Sequence, residues 1–235
     1  MIDYGFYNMD CMEGMKQFPD KYFSLAIVDP PYGINADLFN NGNGYKDHSQ
    51  NDSTSERVRK GRLNQGAGKL KNRVLNQSDC SWDREPPSKE YFEELQRVSK
   101  HQIIWGGNYF DLPPTRGVIV WDKMQPWENF SQIEYAWTSF DKPAALFKYR
   151  TTNDKNKIHP TQKPVALYEW ILNRYAKNGD TILDTHVGSA SSLIACHRTG
   201  HKYVGFEIDE YYYQKAKQRL DAEEAQMNIF EYMKQ

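Results

Sequence analysis

Asp29-Pro30-Pro31-Tyr32 is the stretch of this 235-residue chain whose residue types speak most directly of chemistry. Asp29 and Pro30 each precede a proline, which drives both out of helical geometry into an extended one. Pro31 has no amide hydrogen to donate. The result is a stiff turn that presents the Asp29 carboxylate and the Pro30 carbonyl as neighbouring acceptors, with the Tyr32 ring beside them. Two acceptors and a stacking face suit a planar heterocycle carrying an exocyclic amine. The tetrad follows an apolar run at residues 23–28 that reads as a buried strand. It therefore stands at a strand's carboxyl end, where open α/β sheets bind ligands.

A second group lies far downstream. Asp184-Thr185-His186-Val187-Gly188-Ser189-Ala190 occupies a strand-to-helix turn, and Gly205-Phe206-Glu207-Ile208-Asp209 follows one helix and one strand later. A glycine-serine turn lets backbone approach a ligand closely. An acid ending the next strand, Glu207, is what a nucleoside site uses to hold ribose hydroxyls. The full G-x-G-x-x-G fingerprint of NAD and FAD sites is missing, which is consistent with a ligand that carries no pyrophosphate. A third piece, His159-Pro160-Thr161-Gln162-Lys163-Pro164, opens a helix. Lys163 is a cation near a helix start, a poor position on dipole grounds unless it meets a carboxylate.

These residues need a scaffold, and the chain patterns as alternating strands and helices. Strands are expected at residues 6–10, 23–28, 103–105, 117–121, 133–138, 181–184 and 203–208. Helices are expected at 12–18, 89–100, 162–175, 190–198 and from 210 onward. That alternation predicts an α/β fold with a doubly wound, mostly parallel sheet. Residues 34–83 break the pattern with a polar, Asn/Gly/Ser-rich stretch, read as an inserted loop in an otherwise single domain spanning 1–235. Within it, the stretch from Glu56 to Arg73 sets Arg57, Arg59, Lys60, Arg62, Lys69, Lys71 and Arg73 against a single acid, Glu56.

The net charge of −1 gives no global nucleic-acid signature, so any affinity for phosphates must be local, and that basic stretch is the candidate. Three cysteines, Cys11, Cys80 and Cys196, form no C-x-x-C pair and are read as reduced thiols of a cytoplasmic protein. No apolar run approaches a membrane span, and the first residues are unlike a signal peptide. His197 and His201 have metal-ligand spacing but no evident third ligand. They are read as solvated, and no metal site is expected.

Taken together, the motifs resemble those of the β class of S-adenosylmethionine-dependent DNA amino-methyltransferases, which methylate adenine at N6 or cytosine at N4. Asp29-Pro30-Pro31-Tyr32 is similar to their catalytic motif IV. Asp184 to Ser191 and Glu207 are similar to motifs I and II, and 159–164 to motif X. Against the usual D-x-F-x-G-S-G, His186 replaces Phe and Ala190 replaces the last Gly. The catalytic motif precedes the cofactor motifs, a circular permutation that places the catalytic half of a Rossmann-like sheet first.

The resemblance implies S-adenosylmethionine as cofactor, held by Asp10, Lys163, Asp184, Gly188, Ser189 and Glu207. It implies double-stranded DNA as partner and admits a homodimer. It also implies a flipped adenine, stacked on Tyr32, whose amine donates to Asp29 and the Pro30 carbonyl. Adenine is preferred over cytosine because the tetrad leads with aspartate. The region between the last strand and motif X, residues 141–158, is short, so base recognition is expected to fall partly on the inserted loop. A non-catalytic DNA-binding protein is the reading from a different class.

Overall fold

The computed structural model describes residues 2–34, 85–126, 131–150, 157–159 and 161–232. The basic stretch at 57–73, with Cys80, Trp82, Trp127 and Lys155, lies outside the described residues.

Eight strands form one sheet in the order β1-β8-β7-β2-β3-β5-β4-β6. They are β1 Gly5–Asn8, β2 Phe23–Val28, β3 Ser99–Trp105, β4 Val118–Asp122, β5 Ile133–Thr138, β6 Ala145–Lys148, β7 Thr181–Asp184 and β8 Lys202–Glu207. All neighbouring pairs are parallel except those that β5 makes with β3 and β4. Helices α1 Cys11–Met15, α2 Lys89–Val98, α3 Val165–Tyr175, α4 Ser191–Thr199 and α5 Glu210–Tyr232 connect them.

The centre of the sheet carries the site. β2, early in the chain, pairs in parallel with β7, whose register sets Leu25 beside Ile182 and Ala26 beside Leu183. Strands 157 residues apart are thus brought side by side, so the tetrad after β2 and the glycine turn after β7 emerge together at one sheet edge. The central residues of both strands, Leu25 to Val28 and Ile182-Leu183, are apolar and buried, as in strands covered on both faces. One cluster, with Leu25, Ile27, Trp105 and Trp121, packs under α3 and α4, and another, with Ala26, Val28 and Ile104, packs under α1 and α2.

Several boundaries differ from the sequence expectation for local reasons. α3 begins at Val165 because Pro164 takes the extended N-cap position (φ −68°, ψ 142°). α2 stops at Val98 because β3 starts at the next residue, four residues before the expected strand. Asp10 is not part of β1. It caps α1, Oδ1 accepting from the amides of Met12 (2.8 Å) and Glu13 (3.1 Å). β6, four residues with only one buried, falls within residues 141–158, where no strand is expected from the sequence. The reading of His197 and His201 as solvated is corrected. Gly200 ends α4 between them with φ +72°, and both Nε2 atoms are buried without a hydrogen-bond partner. Among the described residues no group of three His, Cys, Asp or Glu could hold a metal ion. No described helix is long and apolar enough to cross a membrane.

Candidate active site

Two cavities open at the carboxyl edge of the central strands. The first, of about 280 Å³, lies over the ends of β7, β8 and β1 and is lined by Asp10, His159, His186, Gly188, Ser189 and Glu207 among others. The second, of about 470 Å³, lies over β2, β3 and β5, with Pro30, Tyr32, Asn108, Tyr109, Lys123 and Glu134 in its wall. Asp29, Pro31, Thr161 and Lys163 line both. The two cavities therefore meet at the tetrad carboxylate.

In the first cavity the glycine turn is tied down from below. Gly188 takes φ +56°, a conformation glycine adopts at no cost, and its amide donates to Glu207 Oε2 at 2.8 Å. Glu207 Oε1 accepts from the Asp209 amide at 2.9 Å. Burial raises the Glu207 carboxyl to about 7 against the pull of those two amides. Asp184 is buried inside the turn, accepting from the His186 amide at 3.0 Å and from the Ser192 hydroxyl. Burial raises it to about 7 as well. Its task here is to brace the turn, while Glu207 faces the ligand space.

Ala190, where the resembled motif has glycine, is held at φ +60°. An L-residue is disfavoured there by roughly 1–2 kcal/mol, and Ala190 is fully buried in that conformation. His186, in place of phenylalanine, keeps an aromatic wall without a charge. Burial lowers its imidazole to about 4, Thr185 Oγ1 lies 2.9 Å from Nδ1, and its ring meets Tyr91 edge-on at 5.5 Å. His159 lies over the same turn. The His159 ring packs on Tyr212 (4.3 Å between centroids) and over Gly188, where a Cβ would meet it at 3.6 Å.

At the junction, Asp29 accepts from the Tyr32 hydroxyl at 2.6 Å through Oδ1 and from the Lys163 ammonium through Oδ2. The carboxylates that Lys163 meets are thus the protein's own, because its Nζ also lies 3.0 Å from Glu134 Oε2. Lys123 Nζ pairs with Glu134 Oε1 at 2.6 Å. The result is an alternating series, Asp29, Lys163, Glu134, Lys123, of two anions and two cations in a largely buried place. Lys163 is 3 % exposed, Asp29 17 % and Glu134 23 %.

Burial pushes the Asp29 carboxyl above its ordinary value, opposed by Lys163 and the Tyr32 hydroxyl. Burial likewise opposes ionisation of Glu134, but Lys163 and Lys123 outweigh it and hold the group at about 2. For Lys163, burial disfavours the charge and the two carboxylates more than restore it, so the ammonium is held above its usual range.

Sequence reasoning found Asp29, Tyr32 and Lys163, which the structure brings together, and missed Glu134 and Lys123. The signal for Glu134 was the strand period. Residues 134, 136 and 138 share a face of β5, and Ala136 and Thr138 are fully buried. A glutamate on the buried face of a strand marks a site.

The fold is that of class I methyltransferases, a mostly parallel sheet with flanking helices. The structure of the M1.HpyAVI–SAM complex superposes with a TM-score of 0.53 at 18% identity, covering 92% of this chain and 98% of that one. The cytosine-N4-specific PvuII DNA methyltransferase gives 0.54 at 14% identity, covering 92% and 86%. Residues 89–218 match the family model described as DNA methylase, which includes the N6- and N4-methylating enzymes. The chain belongs to that family. The match includes Lys163, Asp184 and Glu207 and starts beyond the tetrad. Type II methyltransferase M2.DpnII of Streptococcus pneumoniae is 28% identical over 152 residues, 64% of this chain. The chain spans about half the length of that curated relative.

Proposed function

We propose that this chain transfers a methyl group from S-adenosylmethionine to the exocyclic N6 amine of adenine in double-stranded DNA. The observation that carries the reading is the meeting of two cavities at Asp29: one suits a nucleoside cofactor, the other a planar base, and one carboxylate faces both.

The residues of the first cavity fit the cofactor. Glu207 offers a carboxylate to a ribose diol, and the Gly188 turn admits close backbone approach. Asp10 spends only Oδ1 on its cap, leaving Oδ2 for an adenine amine. Neutral His186 supplies an uncharged aromatic wall. Bound there, S-adenosylmethionine supplies a methyl group already activated on a sulfonium, so the demand on the protein lies with the nucleophile.

An aryl amine shares its lone pair with its ring and attacks poorly. Accepting its hydrogens at Asp29 and the Pro30 carbonyl favours a more tetrahedral nitrogen and stabilises the positive charge that develops there. Holding the amine in line with the methyl contributes the orientational part. The proton leaves after transfer, so Asp29 acts as an acceptor and need not be a strong base. The target amine lies inside the duplex, and the base is flipped out to stack on Tyr32. Arg57, Arg59, Lys60, Arg62, Lys69, Lys71 and Arg73 are assigned to phosphate contacts, with residues 34–83 as a DNA-recognition segment inserted in one methyltransferase domain. Those contacts give affinity that weakens with salt.

The deciding experiment is methyl transfer to unmethylated DNA, followed by nucleoside digestion and mass spectrometry. N6-methyladenine is the expected product. N4-methylcytosine would keep the mechanism and overturn the base. Cofactor binding with no methylated base would overturn the substrate.

Glu207 makes cofactor affinity depend on pH. Ribose hydroxyls donate to the carboxylate form, while the ligand-free carboxyl titrates at about 7. Binding therefore releases a proton, and affinity rises with pH through 7 and levels off above it. At pH 6 the dissociation constant is expected to be roughly tenfold above its plateau. Titration calorimetry between pH 5.5 and 8.5 measures this. Glu207→Gln should bind more weakly and lose most of the slope, and any remaining slope reports Asp184. An unchanged slope would remove Glu207 from the cofactor site.

A further inference from the structure

Tyr109, on the segment between β3 and β4, stands where the target ring of the proposed reaction would lie. Its ring stacks on Tyr32 with centroids 4.8 Å apart and planes inclined by 14°. It is nevertheless 46 % exposed, in the wall of the tetrad-side cavity. Tyr32 is in contact with backbone as well. A Cβ added to Gly106 would stand 2.2 Å from Tyr32 Cε1, 2.6 Å from Cδ1 and 2.7 Å from Cζ, the pattern of an atom above the ring rather than at its edge. The oxygens of Asp29 are taken too, by the Tyr32 hydroxyl and the Lys163 ammonium. The protein's own groups thus imitate a bound substrate, with a ring lying on the stacking tyrosine and donors on the acceptor carboxylate.

We propose that Tyr109 is the second wall of the target-base slot: the flipped base enters between Tyr109 and Tyr32 and is stacked on both sides. The inference rests on the proposed DNA-methylating function and adds to it a residue that contacts the base. Three features support it. The two rings lie within 14° of parallel, the mutual orientation a sandwiched base requires. Tyr109 belongs to a segment, 106–117, without helix or strand, anchored at its start by the turn in which the Tyr109 amide donates to the Gly106 carbonyl at 2.8 Å. The segment is tied to β5 at Gly106, Pro113 and Thr115, and Tyr109 lies between these ties, where its ring can shift by the thickness of a base without breaking the sheet. Finally, Asn108 lies in the same wall, so the turn offers a polar group to the edge of a ring held there. Sandwiching orients the ring plane, and with it the amine, towards Asp29.

The test is steady-state methyl transfer to unmethylated genomic DNA by wild type, Tyr109→Phe, Tyr109→Leu and Tyr109→Ala. Phenylalanine keeps the stacking face and should stay within about threefold of wild type. Alanine should raise the KM for DNA by about tenfold to a hundredfold, the usual effect of losing one base–aromatic stack. Leucine, which fills space without a π-face, should behave like alanine and decides the matter if the alanine variant folds poorly. Cofactor affinity should be unchanged throughout, since Tyr109 borders no part of the first cavity. Wild-type KM in the alanine and leucine variants would overturn the proposal. So would faster turnover, which would make Tyr109 a plug that the base displaces. A wild-type protein that methylates no DNA would overturn the functional reading instead.

Discussion

Asp29→Ala is expected to slow methyl transfer by about a thousandfold or more while leaving S-adenosylmethionine bound within about fivefold of wild type. The asymmetry follows from where Asp29 sits. It lines both cavities, but its two oxygens hold Tyr32 and Lys163 rather than the turn that carries Gly188 and Glu207. Removing one preorganised group aimed at developing charge costs about two to three orders of magnitude in rate. In the proposed reaction the same group also orients the amine, which adds to the expected loss. Asp29→Asn separates the contributions. Its amide oxygen still accepts from the amine but carries no charge, so a loss of about ten- to a hundredfold is expected. Single-turnover rates at saturating cofactor measure both. Near-normal turnover in Asp29→Ala would sink the mechanism, and equal losses in the two variants would assign the whole effect to charge.

That charge must persist in a place that opposes it. Burial works against an ionised Asp29, and the neighbouring Glu134 carboxylate does so as well. Lys163 and the Tyr32 hydroxyl counter both. Lys123 in turn offsets Glu134, so the four groups sum to neutrality. Buried ion pairs contribute little net stability against an apolar alternative, but breaking one by removing a single partner is costly. The arrangement is thus better explained by what it does for Asp29 than by what it does for the fold. It supplies a carboxylate that remains an acceptor without bulk water to solvate it.

How much of this was legible beforehand depended on how local the cause was. The tetrad was readable because two prolines impose geometry on the residues before them, whatever lies elsewhere. The β2 and β7 strands were readable from short apolar runs, Leu25 to Val28 and Ile182-Leu183, and the α/β alternation then left few ways to arrange them. Lys163 was flagged by its awkward place near a helix start, yet its partner Asp29 is 134 residues away in sequence, beyond the reach of any local rule. The resemblance implies the cofactor as a partner of Lys163, and the structure sets two protein carboxylates beside it, Asp29 and Glu134. Glu134 was overlooked although its alternation with Ala136 and Thr138 placed it on a buried face. β6 was overlooked because four residues show too little periodicity to tell a strand from a loop. The basic stretch from Arg57 to Arg73 was conspicuous in composition and lies outside the described residues.

Lys163→Met should therefore be the most disruptive single substitution to the fold of the site. Methionine matches the aliphatic stem and deletes the ammonium, leaving Asp29 without its cation while Glu134 keeps Lys123. An unpaired buried charge of this kind costs about 3–5 kcal/mol. For a chain of this size that corresponds to a fall in Tm of roughly 10 °C. The loss should depend on pH. Without Lys163 the Asp29 carboxyl rises further above its ordinary value, so the native state holds a proton that the unfolded chain has released. Stability of the variant then falls as pH rises from the ordinary carboxylate range towards neutrality and beyond, and the deficit against wild type is smallest near pH 5. Activity moves the other way, because only ionised Asp29 accepts from the amine in the way the mechanism requires. Turnover of the folded variant should climb with pH where wild type is flat. Opposed pH slopes of Tm and turnover would mark a positioning residue acting through Asp29, whereas parallel slopes would mean that lost folding alone explains lost activity. Cofactor affinity provides the remaining distinction. If it is unchanged, Lys163 serves Asp29 throughout the cycle. If it falls more than about tenfold, the ammonium turns from Asp29 to the cofactor carboxylate on binding, and cofactor entry itself frees the oxygen that receives the target amine.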